Sequence, residues 1–188
     1  MSQGMSVPEI KPYKPLSNQQ LLMLLVLASF GMLFGTLVLS LIFARLRAPV
    51  WPPIGITPLD STLPIISTLA ILVSSVLLHK ALRKFESNKK EDFKYFWGLG
   101  VLSGILFLVL QTWSLGHWYL QGVRVSQHLY ASAVYVMIIF HALHLIVALS
   151  GIVHQFYKAR SEETLQAWTW VWHFLGVVWV IMCPLLLF

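Results

Sequence analysis

Histidine is the residue type in this sequence with the widest choice of chemistry. His141 and His144 lie three positions apart in one long apolar stretch, and His173 lies in the next. If the stretches are helical, residues three apart share one face of the helix. Ionisable side chains are costly at membrane depth and usually serve a function there. Three roles are open to these histidines: axial ligation of haem iron, a proton relay, and hydrogen bonding between packed helices.

The number of histidines and the position of the acidic residues favour the third role. A di-haem centre usually takes four histidines, and only three of the seven lie clearly inside apolar stretches. A proton relay needs carboxylates in series, whereas all seven acidic residues lie in the N-terminal tail or between the stretches. We therefore favour interhelical hydrogen bonding, with haem ligation and proton relay as alternatives. The side chains predicted to make interhelical polar contacts are His79, Gln111, His141, His144 and His173.

Signatures of self-contained catalysis are missing from the sequence. It has no glycine-rich phosphate loop, no set of cysteine ligands and no nucleophile beside a visible base. The single cysteine, Cys183, cannot form an intrachain disulfide. We therefore predict no catalytic, cofactor-binding or metal-binding residue in this chain, and expect a membrane subunit or binding scaffold.

The elements that must position these side chains are membrane-spanning helices. The chain has 188 residues, of which 57% are hydrophobic and 11% charged, against about 25% charged in a typical soluble domain. A helix needs about 20 apolar residues to cross the hydrocarbon core. Five stretches qualify, which predicts an all-α polytopic membrane protein. They are residues 21–43, 63–79, 95–115, 129–154 and 167–188.

The basic residues between the stretches predict the orientation of the chain. Ten of the 13 lysines and arginines lie in the tail and in the second and fourth loops, which share one side of the membrane. Since basic loops stay inside, we expect a cytoplasmic N-terminus and a periplasmic or external C-terminus, in a bacterial cytoplasmic membrane. The net charge of +6 is explained by these loops and by attraction to anionic lipid, so no nucleic-acid partner is expected.

Two arginines directly follow the first stretch. Arg45 and Arg47 could simply extend to the interface, or they could bind a lipid phosphate, which a guanidinium fork suits well. We give Arg45, Arg47 and the nearby Trp51 as candidate lipid-binding residues. Glycines four apart occur at 31 and 35 and at 100 and 104, a spacing that permits close helix packing.

Five motifs, in order along the chain, resemble those of subunit III of haem-copper terminal oxidases. Residues 51–56 read WPPIGI, like the family's WPPxGI, and residues 63–68 read LPIIST, like a segment containing PLLNT. The remaining three are FLVLQ at 107–111, like FxxLQ, FHALHL at 140–145, like FHGLHV, and WHFLGVVW at 172–179, like WHFVDVVW. Together they resemble cytochrome c oxidase subunit III in its five-helix bacterial form.

The resemblance implies a non-catalytic accessory subunit of an aerobic respiratory oxidase. Its helices would form a two-plus-three bundle around a V-shaped cleft that holds structural phospholipid. The expected segments are a cytoplasmic tail at 1–20, a two-helix bundle with the WPP loop at 21–79, a basic loop at 80–94 and a three-helix bundle at 95–188. The chain would bind subunit I directly and accompany subunit II and other respiratory subunits. Haem and copper would lie in those partners, and oxygen reduction in subunit I.

Two alternatives accompany this interpretation. One is the subunit-III-like protein found with nitric oxide reductases, which the sequence does not separate from an oxidase subunit. The other is a free-standing membrane cytochrome b, which would bind haem through histidines within the spans. A small transporter is disfavoured, because the spans contain no charged residue and no inverted repeat is visible.

The chain departs from the family pattern at three acidic positions. Phe30 follows Ser29 where the family has a membrane glutamate, and Ser114 and Gly176 replace a glutamate and an aspartate. These losses argue against a direct role in proton transfer. We expect the histidines to be neutral and bonded to each other, to the backbone or to lipid.

Overall fold

The computed structural model describes residues 18–51, 53–54, 59–158 and 161–187. Every regular element in that part of the chain is an α-helix, and all five helices are long and apolar enough to span a membrane. The predicted all-α membrane fold is therefore confirmed. Most of the predicted 1–20 tail, part of the WPP loop, Arg160 and Phe188 lie outside the described residues. The helices are α1 (Asn18–Arg47), α2 (Thr62–Glu86), α3 (Lys90–Leu120), α4 (Leu129–Tyr157) and α5 (Glu162–Leu187).

The helices extend beyond the apolar stretches that predicted them. The segment 80–94, predicted as a basic loop, is helical except for residues 87–89. Hydropathy locates only the part of a helix that lies in hydrocarbon, whereas backbone hydrogen bonding continues into the polar interface. The short turn is closed by Asn88 in a left-handed conformation (φ 57°), which asparagine tolerates better than most residues. Lys84 and Asp92 form an ion pair of 3.0 Å across it.

Helix pairing is most extensive between neighbours in the chain. α2 and α3 form the most extensive interface, while α5 packs against α1, α2 and α4. In the described part of the chain the backbone of α1 approaches α5 and α4 more closely than it approaches α2. The connection lengths explain this, since a three-residue turn forces α2 and α3 to be antiparallel neighbours, whereas residues 48–61 allow α1 to pack elsewhere.

A turn before α2 carries a carboxylate whose charge is stabilised locally. Asp60 Oδ1 accepts a hydrogen bond from the Thr62 backbone N–H at 3.0 Å. This bond holds the pKa of the exposed Asp60 carboxyl below its ordinary value, with a smaller contribution from His117. The ionised side chain thus accepts from the first backbone N–H of α2, which has no acceptor within the helix.

One of the two predicted glycine pairs produces close helix contact. A Cβ added at Gly100 would lie 2.8 Å from Leu78 Cγ, and one at Gly104 would lie 2.8 Å from the Trp172 indole. The other pair is different, because a Cβ added at Gly31 would lie 3.8 Å from the Phe174 ring and one added at Gly35 would have nothing within 4 Å. The α3 pair therefore leaves room for the Leu78 side chain of α2 and the Trp172 indole of α5 against the α3 backbone, as small residues do in membrane bundles.

Hydroxyl and indole groups join neighbouring helices inside the bundle. Ser74 Oγ donates to Gly100 O at 2.7 Å, and Ser103 Oγ donates to Ala70 O at 2.8 Å, so α2 and α3 are bonded in both directions. Trp97 Nε1 donates to Ile152 O at 3.0 Å between α3 and α4. These donors find acceptors within protein, as the lack of water in a bilayer requires.

Candidate functional site

His141 lies at the centre of the bundle, inside a box of aromatic rings. Its imidazole is 1% exposed and stacks on Trp179 of α5, with ring centroids 5.5 Å apart. Phe34 of α1 and Phe107 of α3 meet it edge-on, at 5.6 and 6.3 Å. We name His141, Trp179, Phe34 and Phe107 the central aromatic layer. It joins four helices through ring packing, and neither ring nitrogen of His141 has a hydrogen-bond partner among the described residues.

Trp179 ties this layer to a polar network on α2. Its Nε1 donates to Thr68 Oγ1 at 2.9 Å, and that hydroxyl donates to Pro64 O at 2.7 Å. Ser67 Oγ also donates to Pro64 O, at 2.9 Å, and accepts from Gln111 Nε2 at 2.5 Å. Gln111 thus makes an interhelical contact from α3 to α2.

His144 faces α1 from the same side of α4. Its Nδ1 lies 2.6 Å from Phe140 O, which assigns the ring proton to that nitrogen as the donor. The ring meets Phe30 edge-on at 4.5 Å and Phe34 at 5.2 Å. Phe30 is the residue that follows Ser29 where the family resemblance implies a membrane glutamate. An aromatic edge therefore packs against His144 at the point where that carboxylate would otherwise lie.

His79 and His173 face each other across the α2–α5 interface. Their ring centroids lie 6.0 Å apart at an interplanar angle of 53°. His79 is exposed and His173 is half-buried. The tertiary fold thus brings together two predicted residues that are far apart in sequence, at the edge of the bundle.

Carboxylates are remote from all of these rings. In the described part of the chain the acidic residues lie in a loop or in terminal helical turns: Asp60, Glu86, Glu91, Asp92, Glu162 and Glu163. Ser114 is 4% exposed, and Gly176 faces Ser75 Oγ, 3.5 Å from an added Cβ. No group of three or more His, Cys, Asp or Glu side chains able to hold a metal ion occurs in that same part.

A groove of about 400 Å³ lies between the end of α1 and the start of α4. We name it the outer groove; its lining includes Phe43, Arg47, Trp51, His128 and Tyr130. Trp51 packs edge-on against Tyr130, with centroids 4.9 Å apart. Arg47 and Trp51 were predicted from the sequence, whereas Arg45 does not line the groove. His128 and Tyr130 were missed, because only the fold places the start of α4 beside the end of α1.

One known protein family matches nearly the whole described part of the chain. The family model of cytochrome c oxidase subunit III matches residues 19–187, which include all of the sites described above. The chain belongs to the cytochrome c oxidase subunit III family. This family is part of a multisubunit oxidase in the membrane, so membership implies partner subunits.

Individual relatives agree with this assignment. A cytochrome c oxidase subunit 3 from Synechocystis is 28% identical over 167 residues, which cover 85% of this chain and 70% of that protein. Those from Branchiostoma lanceolatum and Osphranter robustus are 29% and 30% identical over 70% of this chain. The chain spans about half of these animal subunits, 52% in both cases.

Within this subunit III chain, the central aromatic layer can pack helices but offers little acid–base chemistry. Among the described residues, neither ring nitrogen of His141 has a hydrogen-bond partner with which to exchange a proton. The site therefore supports an architectural role.

Proposed function

We propose that the chain is a non-catalytic accessory subunit of an aerobic respiratory haem-copper oxidase. It stabilises the catalytic subunit I, which reduces oxygen to water, and it holds phospholipid at its surface. Beside family membership, the observation that carries this proposal is the central aromatic layer around His141. Its four described side chains are buried rings, and none of them is a carboxylate. Haem and copper belong to the partner subunits, and subunit II and other respiratory subunits complete the assembly.

The contact between Phe30 and His144 supports a limited role of this chain in proton uptake. His144 meets a phenylalanine ring there, at the position where the resemblance implies a glutamate. Deleting the chain should therefore leave the initial turnover rate of the oxidase near normal and shorten its active lifetime. Oxygen consumption followed over many turnovers measures both quantities. A large immediate loss of proton uptake would contradict the proposal.

Purification in mild detergent tests the function directly. We expect a haem-copper subunit I to co-purify with the chain and to account for all of the haem absorbance. A nitric oxide reductase catalytic subunit in its place would favour the first alternative. A Soret band from the isolated chain that disappears in His141→Ala or His173→Ala would favour a cytochrome b.

We also propose that the N-terminus is cytoplasmic and the C-terminus external. The basic residues support this orientation, since the α2–α3 turn region contains Lys84, Lys89 and Lys90. In a Cys183→Ser background, a cysteine replacing Asn88 should react with an impermeant maleimide only from the cytoplasmic side. A cysteine replacing Val125 should react only from the outside, and the reverse pattern would reject the orientation.

The outer groove supports binding of a lipid phosphate by Arg47. The arginine borders the groove together with Trp51 and Tyr130, so a headgroup could meet a guanidinium while its chain follows apolar walls. Arg47→Gln should weaken lipid retention about tenfold, the expected size for a charge-assisted hydrogen bond. Mass spectrometry of the purified assembly counts the bound phospholipids.

Arg45→Gln is the matched control for this prediction. It removes the same charge two residues away, at a position that does not line the groove. We expect its lipid count to equal that of the wild type. Equal counts in the Arg47 and Arg45 variants would show that the groove does not bind lipid through Arg47.

A further inference from the structure

The pair formed by His79 of α2 and His173 of α5 lies apart from the central aromatic layer. The two ring centroids are 6.0 Å apart, and the rings are tilted by 53° rather than stacked. Neither ring makes a hydrogen bond to another described residue. His79 is exposed and His173 is half-buried, so a small ligand can reach the pair from outside the bundle. Neutral imidazoles in such a position are common metal ligands.

The separation of the two rings fits one shared metal ion. A bond from zinc to an imidazole nitrogen is about 2.0–2.1 Å long, so two imidazoles on one ion place their ring centroids about 5–6.4 Å apart. The observed 6.0 Å lies within that range. Imidazole suits zinc, copper and nickel ions, whereas magnesium and calcium ions prefer oxygen ligands. The pair therefore favours a transition-metal ion.

A contact one helical turn away fixes the spacing of the two helices beside the pair. Ser75 precedes His79 by one turn of α2, and Gly176 follows His173 by one turn of the antiparallel α5. A Cβ added at Gly176 would lie 3.5 Å from Ser75 Oγ, so the helices are in close contact there. Both imidazoles thus project from packed helices and not from loops, which lowers the entropic cost of holding an ion between them.

The charges near the pair determine the affinity to expect. Lys80 and Arg83 of α2 are exposed, and their positive charges oppose a cation, although salt screens exposed charges. The same two residues place His79 beside the polar end of α2, where an ion in water can reach it. On α5, Glu163 precedes His173 by ten residues, about 15 Å along the helix, so it does not complete the site. With two protein ligands, we expect an affinity in the micromolar range, below that of four-ligand structural zinc sites.

We propose that His79 and His173 together bind one Zn²⁺ ion between α2 and α5. Water takes the remaining coordination positions, and the ion bridges the two helices on the side of the α2–α3 turn. This inference goes beyond the proposed function, since the site is separate from the haem and copper of the partner subunits. It also revises the expectation, drawn from the sequence, that no residue of the chain binds a metal.

Equilibrium dialysis against micromolar zinc chloride tests the site. The full chain is purified without a polyhistidine tag, and we expect it to retain one zinc ion more than the double variant His79→Gln/His173→Gln. Each single variant, His79→Gln or His173→Gln, should bind zinc at least about tenfold more weakly, since even the outer-shell partners of a metal matter by that factor. Zinc should also raise the denaturant midpoint of the wild type but not of the single variants, because an ion that bridges two helices binds only the folded chain.

His154→Gln is the matched control. His154 is an exposed histidine in the last turn of α4, and its ring contacts the Gln155 side chain. We expect this variant to bind zinc like the wild type, and cooperative unfolding without zinc shows that every variant is folded. Retention of half of the zinc by each single variant would mean that the two imidazoles bind separate ions. That result, no difference between the wild type and the double variant, or an equal loss in His154→Gln would overturn the proposal.

Discussion

Replacing Trp179 with alanine should lower the free energy of unfolding by about 3 kcal/mol, the cost typical of removing a large buried aromatic. Trp179 is 1% exposed, stacks on His141, meets Phe107 edge-on at 5.3 Å and donates to Thr68. In a membrane the loss is mainly one of packing and hydrogen bonding, because lipid is as apolar as the core. Denaturant titration of the purified chain in mixed micelles measures the change.

Trp113→Ala provides the control for this result. Trp113 lies on α3 and is 69% exposed. Its replacement by alanine therefore removes the same side-chain volume, but from the exposed surface of the bundle. We expect its unfolding free energy to stay within about 0.5 kcal/mol of the wild type. If the two variants were equally stable, the central aromatic layer would not be the packing centre of the bundle.

Gly104→Ala should destabilise the chain by about 2 kcal/mol, within the range for overpacking a tight core. The added methyl would lie 2.8 Å from the Trp172 indole and 3.3 Å from Leu149 Cδ1. Trp172 is 0% exposed, so its rigid ring cannot move away without separating α5 from α3. The same mixed-micelle titration gives the size of the effect.

Gly35→Ala adds the same methyl group to α1 in open space, since nothing lies within 4 Å of its position. It should be neutral or slightly stabilising, because alanine favours a helix over glycine. A loss of stability in Gly35→Ala comparable to that in Gly104→Ala would mean that backbone flexibility, not close contact, explains the glycine at 104.

The predicted histidine contacts show how far sequence reasoning reached into the candidate site. The spacing of His141 and His144 placed both on one face of α4, and both indeed face α1 through Phe34. The sequence did not predict that His141 is buried and His144 exposed, because the burial of each ring depends on the side chains that neighbouring helices place against it. His144 bonds to Phe140 O of its own helix, which is not an interhelical bond, and His141 makes ring contacts with no hydrogen-bond partner among the described residues, so the predicted interhelical role of both histidines stays a prediction.

The candidate lipid residues illustrate the same limit. Arg45 and Arg47 have the same side chain and charge, yet residues two apart on a helix point in different directions. Only one of them could therefore face a given groove, and the position of α4 selected Arg47. His128 and Tyr130, which complete that groove, come from a segment 80 residues later in the chain and carried no local signal.

The sequence by itself determined the number of helices, their approximate limits and the acid-free character of the spans. These follow from local chemistry, because a bilayer excludes unpaired backbone groups and charges wherever the chain crosses it. Only the tertiary structure decided which helices pair, since hydrocarbon surrounds all apolar faces equally and hydropathy cannot rank them. The pairing of α2 with α3, the packing of α1 on α5 and the box around His141 depend on glycine contacts, turn length and ring shape. Most of those contacts join segments that are distant in the chain, so they leave no local signal in the sequence.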